Sequence, residues 1–344
     1  MVLKDQLFGK DLEELQQVSL SLGLPKFTGK QLADWLYKKN IHSIDEMSNL
    51  SKNARDLLNE KYEFGLSAPS KIQTSIDGTK KYLFPTALNK FIETAMIPDE
   101  DRKTVCVSTQ VGCKMGCLFC MTGKQGFQGQ LTAGEIVNQI RSIDENGEVS
   151  NIVYMGMGEP FDNLEAVLKS LKILTSDWGY AMSPRRITVS SIGIIPAMIR
   201  FLNESDAHLA ISLHTPFDEE RRKLMPVQIA YPIAEVVNEI KGWDFGRQRR
   251  VSFEYILFKG LNDTAYHVRE LSKLLAGIKC RINLIRFHPV PGTPLESPDE
   301  ETITMFKDLL NAKDITTTIR ASRGQDIYAA CGLLSTKELS ATKP

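Results

Sequence analysis

The sequence predicts an α/β fold: a parallel sheet built from repeated βα units, with a small helical domain and a β-hairpin extension ahead of it. Three observations carry this expectation. Between residues 102 and 322, seven short apolar runs alternate with six runs of helical spacing. Just before them, period-2 alternation flanks Asp77-Gly78, a dipeptide suited to a tight hairpin turn. The residues ahead of the hairpin show helical spacing.

In chain order, residues 1–66 form the helical part. Leu12, Leu15, Val18 and Leu22 make an apolar stripe that Gly23 and Pro25 end. Thr28 with Gln31, and Ser43 with Glu46, match the capping-box pattern of a helix start, and Leu32, Trp35 and Leu36 supply a buried face. Residues 67–101 form the extension: Ile72, Thr74 and Ile76 alternate, the chain turns at Asp77-Gly78, and Lys80–Phe84 returns. A third extended run, Lys90–Ile97, ends at Pro98.

Residues 102–332 hold the repeated units. The expected strands are Lys103–Ser108, Asn151–Met157, Arg186–Ser191, His208–His214, Val251–Phe258, Arg281–Phe287 and Thr316–Ala321. The expected helices are Thr132–Asp144, Leu164–Ser176, Pro196–Asn203, Ile233–Lys241, Ala265–Ala276 and Glu301–Asn311. Either an open doubly wound sheet or a barrel satisfies this order, and in both the functional groups gather at the C-terminal ends of the strands. Residues 333–344 read as a short polar tail that frays.

Apolar content of 42% and charged content of 24% suit a globular protein. The first residues, MVLKDQLFGKDLEELQQ, carry charges where a secretory signal is apolar, and no run approaches the ~18 apolar residues of a membrane span. A cytoplasmic location without membrane attachment is expected. The 42 basic and 42 acidic residues balance, which neither supports nor excludes a nucleic-acid partner. Local basic clusters at Arg185-Arg186, Arg221-Arg222-Lys223 and residues 241–250 read as solvated surface or as phosphate contacts.

Six cysteines occur, and in a cytosolic chain they read as metal-binding or reactive rather than as structural disulfides. Cys113, Cys117 and Cys120 form a C-x3-C-x2-C run on a Gly-containing loop after the first strand of the array. Three thiolates on one short loop suit a 4Fe–4S cluster and leave one iron open for a substrate. A zinc site or plain buried cysteines are the alternatives, although zinc asks for a fourth ligand that the loop lacks. Other strand ends fit a ligand site beside the loop. Gly158 permits close backbone approach, and Glu159 can accept hydrogen bonds from an ammonium group. Ser190 ends the third strand, and Ser212-Leu213-His214 ends the fourth.

The C-x3-C-x2-C loop resembles the signature of radical S-adenosylmethionine enzymes. In that family the methionine amino and carboxylate groups chelate the open iron, and electron transfer yields a 5′-deoxyadenosyl radical. Residues 91–129 resemble the RlmN/Cfr family of RNA adenosine methyltransferases, as do the blocks YMGMGEP, RRITVSSIGIIPA, AISLHTPFDEERRKLMP, CRINLIRFHPVPGTP and RASRGQDIYAACG. The blocks stand in family order across essentially the whole chain.

The resemblance implies a partial (β/α)6 radical-SAM barrel over 102–332 and an RNA-binding role for 1–66. It implies one 4Fe–4S cluster on Cys113, Cys117 and Cys120, and an S-adenosylmethionine site at Gly158, Glu159, Ser190, Ser212, Leu213, His214 and His288. It further implies that Cys331 accepts a methyl group, that the radical abstracts hydrogen from it, and that the S-methylene radical adds to adenine. Cys106 then resolves the enzyme–RNA crosslink by a disulfide with Cys331, and Glu93 removes the ring proton. Such a detour makes chemical sense, because carbon 2 of adenine has negligible acidity and little nucleophilicity, whereas a carbon radical adds to it without prior ionisation.

The implied partners are 23S rRNA, at the peptidyl-transferase centre, and tRNA beside the anticodon, with electrons from a flavodoxin or ferredoxin and a monomeric enzyme. The chain departs from the family pattern at His288, where an Asn is usual, and at Gln325 and Tyr328, where acids are usual. The run KQGFQGQL favours the RlmN branch, which methylates carbon 2, over the Cfr branch, which methylates carbon 8. A glycyl-radical activase would share the cluster loop but need no carrier cysteine, and a purely structural iron–sulfur or zinc module would not cleave S-adenosylmethionine. Cys280 reads as core.

Overall fold

The computed structural model describes residues 4–246 and 250–336. Its N-terminal part packs three helices: α1 (Leu12–Ser21), α2 (Thr28–Tyr37) and α3 (Lys52–Lys61). Asp11 caps α1 by accepting from the Glu14 N–H at 3.0 Å, while Glu14 accepts from the Asp11 N–H at 2.8 Å. The expected Thr28–Gln31 box does not form. α2 begins at Thr28 itself after Phe27, with no side-chain cap, because the turn from Pro25 already closes onto the Thr28 N–H. The Ser43–Glu46 box does form, but it closes a single tight turn (Ile44–Glu46), and α3 starts later under a Ser51 cap.

The helical part is joined to the following core by close backbone approach and by ion pairs. Gly9 lies at φ +97°, and a Cβ there would stand 2.4 Å from the Cα of Gly134. Asp11 and Glu14 pair with Lys172 and Lys169 at 2.8 and 2.7 Å.

The core is one sheet of ten strands: β1 (Lys71–Thr74), β2 (Lys80–Pro85), β3 (Phe91–Asp99), β4 (Arg102–Cys106), β5 (Asn151–Tyr154), β6 (Ile187–Ser191), β7 (His208–Ser212), β8 (Val251–Leu257), β9 (Cys280–Arg286) and β10 (Thr316–Ile319). Each strand pairs with its neighbours in sequence order, so the sheet runs unbroken from β1 to β10. β1 to β4 are mutually antiparallel, and β4 to β10 are all parallel. All seven expected parallel strands are present, most of them shorter than expected and two beginning one residue earlier. The hairpin turns at Asp77-Gly78 as expected, and β3 runs on through Pro98 to Asp99.

The connections supply the cover. They are α4 (Met121–Gln125), α5 (Ala133–Arg141), α6 (Leu164–Thr175), α7 (Ile195–Glu204), α8 (Asp218–Leu224), α9 (Ile233–Lys241), α10 (Ala265–Leu274) and α11 (Glu300–Asn311). α5, α6, α7, α9, α10 and α11 were legible from their apolar period, whereas α4 and α8 are too short to show one. Burial alternates along β6: Ile187, Val189 and Ser191 are buried, while Thr188 and Ser190 are half-buried and face the other way. No helix among the described residues is long and apolar enough to cross a membrane.

The chain after β10 returns to the opposite end of the sheet and forms a seam with the β1–β2 turn and the end of β3. Arg323 reaches Asp99 at 3.7 Å. Asp326 accepts from the Ser75 hydroxyl at 2.5 Å and from the Ile76 N–H at 3.2 Å, and Asp77 accepts from the Gly324 N–H at 2.8 Å. Farther on, the expected fraying does not hold for residues 333–336. Leu333, Leu334 and Ser335 are buried, the Leu334 carbonyl accepts from Thr122 at 2.6 Å, and Gln125 exchanges hydrogen bonds with Thr336. The apolar pair Leu333-Leu334 gives this stretch a reason to pack. Residues 337–344 lie outside the described part.

Asp77 fastens the seam. Burial alone would raise its pKa, but the Gly324 N–H, Thr79 and Ser75 together pull it down to about 2. A depressed carboxyl stabilises the folded form above the unfolded value and loses that contribution as pH falls through the folded value. Asp77→Ala is therefore expected to speed hydrogen exchange at the Gly324 amide by at least about tenfold at neutral pH, the equivalent of ~1.4 kcal/mol. The wild-type amide should lose protection only as pH falls towards 2, measured by mass spectrometry of the peptide around residue 324.

Candidate functional site

The cysteine loop leaves β4 and is shaped by a close approach that only glycine permits. At Gly112 (φ +71°) a Cβ would stand 1.7 Å from the Gly126 carbonyl. The Leu118 N–H donates to Leu224 and the Met121 N–H to Gly332, so the loop is held from both sides. Cys113, Cys117 and Cys120 border one cavity of about 140 Å³. Burial pushes the Cys113 thiol up to about 12 and the Cys117 thiol well above its ordinary value. Such a pocket suits thiolates only when a bound metal centre takes up their charge.

Among the described residues, no three His, Cys, Asp or Glu side chains gather closely enough to hold a single metal ion. Zinc–sulfur bonds of about 2.3 Å would draw thiolates to within about 3.8 Å of one another. A 4Fe–4S cluster offers each ligand a different iron and asks only that the thiols face a common space, as these three do.

Across that space stand the strand ends. Gly158 lies at φ +102°, where a Cβ would meet Gln110 at 2.6 Å. Glu159 is buried and accepts from the N–H groups of Phe161 and Ile192, both at 3.1 Å. Burial nevertheless raises its carboxyl to about 7, against the pull of Ser191 and those two amides. An ammonium group entering the cavity would restore the charge. Ser190 and Ser212 also border this cavity.

His214 stands in left-handed backbone (φ +61°) with its ring edge-on to Phe119 at 4.8 Å. Its Nδ1 accepts from the Ile256 N–H at 3.0 Å, which makes Nε2 the donor. Burial, with Arg221 adding to it, pulls its pKa down to about 3, so the ring is neutral. Leu213, expected beside the cofactor, is turned into the hydrophobic core. Its N–H donates to Glu254, and its carbonyl accepts from Arg221 and from the Thr215 N–H.

A second cavity, of about 510 Å³, borders Cys106, Cys331, Arg320 and His288. Cys331 lies between the two spaces and lines both, so topology brings together two cysteines that lie far apart in the chain. Burial lifts the Cys106 thiol to about 12, with Cys331 adding to this and Arg320 opposing it. Cys331 keeps part of its surface exposed, yet the protein around its thiol raises its pKa, with Arg320 again the main opposition. His288 borders the larger cavity rather than the one lined by Glu159. Glu93 borders neither. Its carboxylate lies beneath the C-terminal segment, accepting from the Ser335 N–H at 2.8 Å and pairing with Lys81 at 3.1 Å. Cys280 is half-buried at the start of β9, packed against the core.

Sequence reading missed three charged groups of this site. Arg221, expected on the surface with Arg222 and Lys223, is wholly buried. Its guanidinium donates to the carbonyls of Ile192, Ser212 and Leu213 and to Gln228. Arg222 keeps the expected place, exposed beside Glu219. Residues 247–249 of the 241–250 cluster lie outside the described part. The second missed group, Glu254, sits inside an otherwise apolar strand, itself a visible signal, and holds the third, Arg320, at 3.4 Å.

The chain matches two family models: the radical SAM superfamily over residues 107–271, and the ribosomal RNA large subunit methyltransferase N-terminal domain over 6–64. It is 57% identical over 333 residues to a probable dual-specificity RNA methyltransferase RlmN of Phocaeicola vulgatus, covering 97% of this chain and 95% of that one. It is 43% identical over 332 residues to the dual-specificity RNA methyltransferase RlmN of Syntrophus aciditrophicus, covering 95% of each. The crystal structure of a radical SAM methyltransferase from Sphaerobacter thermophilus superposes with a TM-score of 0.90 at 39% identity, over 96% of this chain and 99% of that one.

Two outcomes follow from the site's buried polar groups. Arg221→Met strands several buried carbonyls and should cost about 3–5 kcal/mol in urea unfolding. His214 stays neutral in the folded chain down to about pH 3, while the unfolded chain protonates near ~6.5. Stability should therefore fall with pH between those values and be independent of this group above them. His214→Asn keeps an acceptor for the Ile256 N–H, and it should flatten that slope by up to about 1.4 kcal/mol per pH unit.

Proposed function

This chain belongs to the RlmN family of radical S-adenosylmethionine RNA methyltransferases, and on that premise we propose that it methylates carbon 2 of adenosine in 23S rRNA, at the peptidyl-transferase centre, and in tRNA beside the anticodon. Cys113, Cys117 and Cys120 would hold a 4Fe–4S cluster, which would supply the electron for cleavage of S-adenosylmethionine.

The chain's own residues do the rest. Glu159 receives the amino group of S-adenosylmethionine, which restores the charge that burial opposes. Gly158 leaves room for the ligand against bare backbone, while Ser190, Ser212 and neutral His214 offer hydroxyl and N–H groups around it. His288 faces the space where the nucleotide enters. Cys331 accepts a methyl group and carries it, and Cys106 closes a disulfide with Cys331 to free the product. Arg320 acts on both thiols in the direction of their thiolates, the reactive forms. Glu93 accepts the ring proton once residues 333–336 are drawn aside from it. Residues 1–66 serve as an RNA-contacting accessory domain, 67–101 as the extension that brings in Glu93, and 102–332 as the catalytic core. The enzyme works as a cytoplasmic monomer with a flavodoxin or ferredoxin as electron donor.

The observation that carries this reading is the position of Cys331, on the cavity of the cluster cysteines and on the cavity of Cys106 at once. It is tested with anaerobically reconstituted enzyme, S-adenosylmethionine, reductant and either a 23S rRNA fragment or tRNA, with the methylated nucleoside identified by mass spectrometry. 2-Methyladenosine is expected. 8-Methyladenosine would move the chain to carbon-8 chemistry, and 5′-deoxyadenosine without any methylated base would refute the RNA substrate. Cys331→Ala should lower methylated adenosine at least about 1000-fold, since the carrier itself is gone. Cys106→Ala should instead accumulate a covalent protein–RNA species on denaturing gels. An activase would keep its activity in the Cys331→Ala variant.

A further inference from the structure

The most deeply buried ion pair among the described residues joins Glu93, the base of the reaction, to a lysine that has no role in it so far. Lys81 of β2 meets Glu93 of β3 with Nζ 3.1 Å from Oε1, at 3% and 4% exposure. Strand register explains the meeting. Lys81 stands opposite Ala95, and Ala95 opposite Cys106, so one cross-strand row carries an ammonium, a small spacer and a thiol. Glu93, two positions from Ala95, shares that sheet face. The spacer is buried and small, which keeps the row compact between the lysine and the cysteine.

A lysine among Tyr82, Leu83 and Phe84, all buried, contradicts the apolar pattern of β2 and needs a reason. The reaction supplies one. A carboxyl removed from water favours its neutral form, and a neutral carboxyl has no site for another proton. A fixed ammonium at hydrogen-bond distance keeps the carboxylate charged and fixes which way it points. The other oxygen accepts from the Ser335 N–H at 2.8 Å, a backbone contact from the C-terminal segment.

We propose that Lys81 is a positioning residue for proton removal: it holds Glu93 as a carboxylate on the sheet face of Cys106, ready to take the adenine ring proton. In that step the ring C–H bond breaks, the proton passes to a Glu93 oxygen, and the electron pair stays with the ring. This rests on the reading of Glu93 as the base.

The test compares holoenzymes carrying Lys81→Met, Lys81→Arg, Glu93→Gln and the Lys81→Met/Glu93→Gln pair. Three readouts are taken: methylation of Cys331 by mass spectrometry, covalent protein–RNA species on denaturing gels, and 2-methyladenosine turnover. Lys81→Met is expected to keep Cys331 methylation, to accumulate the covalent species as Glu93→Gln does, and to lose about 100-fold in turnover, the scale of a general base. The double variant should be no slower than Glu93→Gln alone, and Lys81→Arg should recover most of the activity. If Lys81→Met does not fold, Lys81→Gln makes the same comparison, keeping a donor without the charge.

Wild-type turnover in the charge-free variants, or a double variant much slower than Glu93→Gln, would overturn the proposal. So would joint loss of Cys331 methylation and of the covalent species, which is the mark of a merely structural lysine. Full turnover in Glu93→Gln would overturn the base assignment, and this proposal with it. An impaired Glu93→Gln beside an unimpaired Lys81→Met would overturn this proposal alone.

Discussion

The site depends on one buried guanidinium. Parallel strands end with carbonyls that no neighbouring strand satisfies, and in this fold those ends are the walls of the working cavity. Arg221 answers the problem for β6 and β7 together, donating to carbonyls just past the end of one strand and at the end of the other. Gln228 holds the guanidinium in turn, at 2.7 Å. Burial draws the pKa of Arg221 down only to about 10, so it keeps its charge at neutral pH. The same charge helps keep His214 neutral and counters the burial of Cys117. One side chain thus sets the shape of the cavity wall and its electrostatics.

Around that fixed frame the ionisable groups are held away from their usual states. Glu159 titrates near neutrality, His214 stays neutral, and two cluster cysteines resist ionisation. Each departure has one dominant cause, burial, and an added positive charge beside Glu159 or the thiols would oppose it.

Much of this was legible beforehand. The seven parallel strands announced themselves by apolar runs between turn residues, and the cysteine loop by its spacing. What failed to show were features decided by topology. Arg221 sits in a run of charged residues that locally looks like surface, and only the closing of α8 over β6 and β7 buries it. Leu213 is a neighbour of His214 in sequence, but alternation sends it to the opposite face. The meeting of Cys106 with Cys331 needs the last segment to return across the sheet, which no local pattern encodes. α4 and α8 escaped because helices of five and seven residues give too few turns for a period to register.

The seam between the two sheet edges has a mechanical meaning. Everywhere else along the sheet, neighbouring strands share a ladder of backbone hydrogen bonds, and prising them apart would break the whole ladder. At the seam the edges are tied by Asp77, Asp326 and Arg323 through single polar contacts. Each is worth about 1 kcal/mol net. The wall is therefore stiff in every direction but one. Loosening it there would cost a few kcal/mol and leave every strand pairing intact.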